Sequence, residues 1–83
     1  MDIEEEPLGS LLMTLRTGSG GRDRLMASVS EIRRRLPHLT DGELLSVISA
    51  ADVAARLGDT ELHMSVGQEL LKEASSLRKK PEG

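Results

Sequence analysis

The junction Leu57-Gly58-Asp59 separates two long stretches of helical apolar periodicity. A connection that short folds two helices back on one another as a tight αα-hairpin. Upstream, Thr40-Asp41-Gly42-Glu43 has the pattern of a capping box. The Thr40 side chain can accept the Glu43 backbone N–H, while the Glu43 carboxylate reaches back to the Thr40 N–H. Leu39 and Leu44 flank the cap as a hydrophobic staple would require. From there Leu44, Val47, Ile48, Ala51, Ala54 and Ala55 form a broad apolar arc, predicting a helix to Leu57. Leu45 and Val53 fall outside that arc, and a helix so widely apolar is normally covered on more than one side. Gly58 reads as a left-handed helix stop and Asp59 as the cap of the next helix. That helix is predicted over Thr60 to Arg78, with Leu62, Val66, Leu70, Ala74 and Leu77 on one stripe. Met64 and Leu71 make a second patch, joined to the first through Gly67.

Two further helices precede the hairpin. Leu8, Leu11, Leu12 and Leu15 follow the i, i+3, i+4, i+7 pattern, predicting an amphipathic helix over Ile3 to Arg16 with Pro7 in its first turn. Thr17-Gly18-Ser19-Gly20-Gly21 has the composition of a flexible linker, which would let that helix lie in several places. A second helix is predicted over Arg22 to Leu36, with Leu25, Val29, Ile32 and Leu36 on a narrow face and Pro37 ending it. The organisation expected is a tethered helix at 1–16, a linker at 17–21, a helical core at 22–80 and a frayed tail at 81–83. No stretch alternates with period two, so the fold class is all-α: a small bundle of three to four helices on the central hairpin.

Eighty-three residues make one small domain, and the usual supplements to a small core are missing. There is no Cys for a disulfide or thiolate site, and no Phe, Tyr or Trp. The core must be aliphatic, and self-association or docking on a partner is the remaining common way to bury more surface. Net charge is −3, which does not favour nucleic acid. No apolar run approaches the roughly 20 residues of a membrane span. The N-terminal Met1-Asp2-Ile3-Glu4-Glu5-Glu6 is acidic where a signal peptide would be basic, so a cytoplasmic location is expected.

Catalytic patterns are not evident. His38 and His63 are the only histidines, and neither belongs to a metal-ligand motif. His38 sits in a turn, while His63 borders the apolar stripe of the last helix, where an interfacial or partly buried ring is the common role. No phosphate-binding glycine motif is present, and so small a chain is expected to have little room for a ligand cavity of about 300 Å³. No cofactor, metal or small-molecule substrate is expected. Arg22, Arg24, Arg33, Arg34 and Arg35 could bind anions, but successive helical positions turn by about 100° and scatter them over several directions. Glu31 stands four residues before Arg35, in the favourable order for an ion pair.

The segment from Ala51 to Asp59 resembles the turn of tetratricopeptide-type helical pairs. It covers one pair where an array needs about three, so it assigns no family. The leading expectation is a non-enzymatic protein-interaction or regulatory module, self-associating, with Leu8, Leu11, Leu12, Leu15, Leu45, Val53, Met64 and Leu71 as partner-binding residues. The rival is a DNA-binding regulator with a helix-turn-helix around Pro37. Against it, the would-be reading helix opens on Asp41 and Glu43, which repel phosphate.

Overall fold

The computed structural model describes residues 3–78. Among them it contains four α-helices and no strand: α1 (Leu8–Thr17), α2 (Gly21–Arg35), α3 (Asp41–Leu57) and α4 (Glu61–Arg78). Single 3₁₀ turns, Ile3–Glu5 and Leu36–His38, precede α1 and follow α2. The tail at 79–83 lies outside the described residues.

The capping box is formed: the Glu43 N–H donates to Thr40 Oγ1 at 3.2 Å and the Thr40 N–H donates to Glu43 Oε1 at 2.9 Å. Three local expectations need correction. The first helix does not start at Ile3; Pro7, at φ −65° and ψ 153°, caps α1 from outside, and its carbonyl accepts the Ser10 and Leu11 N–H groups. The reason is that proline disfavours helical geometry at the residue before it, which splits Ile3–Glu5 from α1. Gly58 is not left-handed; its φ is −59°. Glycine is needed there for space instead, since a Cβ would stand 2.7 Å from the Ala54 carbonyl oxygen and 2.8 Å from Met64 Cγ. Thr60, not Asp59, caps α4, accepting the His63 N–H at 3.0 Å.

The glycine-rich segment expected as a flexible linker is a closed turn. Gly18 takes φ 70° and returns its N–H to the Thr14 carbonyl at 2.7 Å, while Gly20 and Gly21 take φ 89° and 87°. Three positive angles within four residues are available at low cost only to glycine. The turn delivers α1 onto α2 and α3 of the same chain. Leu11 and Leu15 are fully buried there and Leu12 nearly so, so the expected tethered helix at 1–16 is part of one packed unit.

Packing contacts run α3 with α4, α1 with α3, α1 with α2, and more lightly α2 with α4. The helices therefore close a ring of two layers, α1 and α2 over α3 and α4. The predicted face of α2 is inside: Leu25, Val29, Ile32 and Leu36 are all buried. With no Phe, Tyr or Trp, the core closes by bringing backbones together. A Cβ on Gly67 would meet the Ala55 nitrogen at 2.6 Å and Ala54 Cβ at 2.8 Å, so α4 lies against the alanine-rich side of α3.

Candidate interaction surfaces

The sequence-predicted partner residues fall into two groups. Leu11, Leu12 and Leu15 are core, and Leu8 is half-buried against it, so the α1 face cannot reach a partner while the fold is closed. This corrects their reading as a partner-binding face: the closed glycine turn spends that face within the chain. Leu45 is 48 % exposed, and Val53, Met64 and Leu71 are half-buried. Met64 and Leu71 are seven residues apart and share a stripe. Leu45 and Val53, eight apart, are turned about 80° from one another, so Val53 sits off to one side. Ile48, also half-buried, lies between Leu45 and the α4 stripe by the same angular spacing. Glu69 and Glu73, which reach Arg33 of α2, are on nearly the opposite side of α4 from Met64 and Leu71. Leu45, Ile48, Met64 and Leu71 thus face away from the α1–α2 layer.

The arginines are mostly committed to carboxylates within the chain. Arg24 makes a two-pronged pair with Glu6, both contacts at 2.5 Å, and Ser10 donates to the same carboxylate at 2.9 Å. These bonds, Arg24 foremost, pull Glu6 down to about 2. Arg34 and Arg35 both grip Glu31, which is 5 % exposed, and together they pull it down to about 2. Arg35 also donates to the Glu4 carbonyl at 3.0 Å, so Arg24 and Arg35 fasten the segment before α1 onto α2. Arg33 spans to Glu73 of α4, lowering Glu73 below the usual carboxylate range. Arg22 makes no ion pair among the described residues. Four of the five candidate anion-binding arginines are therefore neutralised locally, which corrects the idea of a shared anion patch: the Glu31 pairing is visible in the i, i+4 spacing, while Glu6 and Glu73 come from distant segments that spacing could not show.

Two features lay outside the sequence reading. The light contact between α2 and α4 leaves an open groove of about 480 Å³ along Leu36, Pro37 and Leu77, rimmed by Arg33 and Lys72. This groove is open to solvent between the helices and is not an enclosed ligand cavity. His63 is the second feature. It is 2 % exposed and bonded through both ring nitrogens, whereas periodicity only placed it at the edge of a stripe. Among the described residues no cluster of His, Cys, Asp or Glu could hold a metal ion, and no helix is long and apolar enough to cross a membrane. The Ser28 hydroxyl is buried without a hydrogen-bond partner, and nothing in the structure explains it.

Comparison with protein-family models, curated proteins and solved structures finds no match to this chain. The functional reading therefore rests on geometry.

Proposed function

We propose that this chain is a small non-enzymatic protein-interaction or regulatory module, such as an adaptor, inhibitor or structural subunit, acting in the cytoplasm. It self-associates through the outer face of α3 and α4. The observation that carries the reading is the set Leu45, Ile48, Met64 and Leu71 on the side of the hairpin that neither α1 nor α2 covers. Aliphatic and methionine side chains on a helix pair are the usual material of helix-face recognition. Each Leu taken fully out of water contributes about 1.5–3 kcal/mol, so a few such residues suffice for a modest interface. Nuclear magnetic resonance of the labelled chain at rising concentration tests the reading. Amide shifts concentrated at Leu45, Ile48, Met64 and Leu71 support it, and concentration-independent spectra contradict it.

The DNA-binding alternative has less behind it. Asp41 and Glu43 are exposed at the start of α3, and four of the five α2 arginines (Arg24, Arg33, Arg34 and Arg35) are occupied by Glu6, Glu31 and Glu73.

A further inference from the structure

His63 is a buried titratable group to which the outer α3–α4 face gives no role. Asp59 donates its backbone N–H to Nδ1 at 3.1 Å. Nε2 therefore carries the ring proton and donates to the Leu15 carbonyl oxygen at 2.6 Å. Through this ring the last turn of α1 is tied to the α3–α4 junction across 48 positions of sequence. The ring has little freedom to turn. Thr60 Oγ1 caps the His63 backbone N–H at 3.0 Å, and a Cβ on Gly18 would stand 3.1 Å from Cε1.

We propose that His63 is a proton-operated latch on α1. A proton taken from solvent adds to the Nδ1 lone pair, and the Asp59 N–H then faces a second donor in place of its acceptor. That bond is lost, the ring must leave its buried position to solvate its charge, and its hold on Leu15 goes with it. Charged groups around the ring act in both directions. Arg22 of α2 lines the same cavity of about 160 Å³ and opposes a second cation. Asp59 is the anion of that cavity, but it engages the ring through its backbone N–H rather than its carboxylate. Glu61 lies exposed in the first turn of α4, and α1 offers only the Leu15 carbonyl. The start of α1 stays fastened by Glu6 and Arg24, and Arg24 also reaches Thr14 Oγ1 at 3.4 Å, so opening is confined to the turn after Thr14. It frees the last turn of α1 around Leu15, while Leu11 and Leu12 stay in the core.

The latch stands apart from self-association, and so does its test. The full chain is titrated by nuclear magnetic resonance from about pH 8 to about pH 5, where an imidazole ordinarily changes charge. The ring signals of His63 and His38 are followed together with hydrogen-exchange protection. The expected result is that His63 protonation coincides with a roughly tenfold or greater loss of protection at Leu15 and Arg16, in the last turn of α1, with Leu12, Val47 and Leu70 still protected. His38, exposed in its 3₁₀ turn, serves as the control ring. Protonation of His63 with α1 protection intact overturns the proposal. So does a ring that stays neutral across the range, or a loss spread evenly over all four helices. His63→Gln keeps a donor for Leu15 and cannot titrate, so it abolishes the pH-dependent loss in α1; persistence of the loss in that variant equally overturns the latch.

Discussion

Gly67 of α4 lies so close to Ala55 of α3 that a Cβ on it would stand 2.6 Å from the Ala55 backbone nitrogen. The obstacle is backbone, which cannot step aside as a flexible side chain does. Gly67→Ala therefore pushes the two helices apart, and overpacking of this kind costs about 1–3 kcal/mol. That equals or exceeds the roughly 1 kcal/mol gained in helix propensity. Gly9 in α1 is exposed with nothing within 4 Å of its Cβ position, so Gly9→Ala gains stability instead. Urea denaturation of both variants is expected to shift the midpoint in opposite directions.

Leu15 is fully buried and comes from a helix that reads, by sequence, as a tethered appendage. Leu15→Ala is expected to cost about 2–5 kcal/mol, the range for a truncated core leucine. Removal of residues 1–21 is expected to abolish the cooperative thermal transition, because it takes the fully buried Leu11 and Leu15 out of the core. A truncated chain that melts like the parent contradicts the placement of α1 in the core.

The Thr40 cap gives a smaller, local effect. Thr40→Ala removes the acceptor of the Glu43 N–H and is expected to lower stability by about 1 kcal/mol. Equal denaturation midpoints for variant and parent show a cap without energetic weight.

Acid acts through Glu6 and Glu31. Both are pulled from the ordinary carboxylate value of 4.5 down to about 2 by their arginine partners. A lowered folded value means that the stabilisation is complete above the ordinary value and is lost as pH falls toward about 2. Thermal midpoints followed by circular dichroism are expected to decline across that window. Glu31→Gln is expected to melt lower near neutral pH and to depend less on acid. An unchanged acid profile in that variant contradicts the coupling.

Local chemistry carried most of the fold in the sequence. The Thr40–Glu43 box, the short Leu57–Asp59 junction and the α2 stripe each state a backbone preference or a periodicity within a few residues, and the structure bears them out. What escaped depends on approach between distant segments. Three glycines between residues 18 and 21 describe a loose linker and a strained tight turn equally well by composition. By sequence Gly58 reads as the left-handed residue that glycine often supplies at a helix end, whereas its missing Cβ makes room for Met64. The Arg24–Glu6 and Arg33–Glu73 pairs span 18 and 40 positions and leave no local mark. Leu45, Met64 and Leu71 were legible as apolar excess; that Val53 turns away from them follows from helical angle once α3 is placed.

Sedimentation equilibrium tests the central claim, self-association through the outer face of α3 and α4, most directly. The parent chain is expected to populate a dimer that grows with concentration, because burying Leu45 and Leu71 between copies makes assembly follow mass action. Leu45→Glu with Leu71→Glu places charges that would have to be desolvated there, so the double variant is expected to remain monomeric at the same concentration. A parent chain that stays monomeric at the highest accessible concentration, or a double variant that dimerises as well as the parent, contradicts the account.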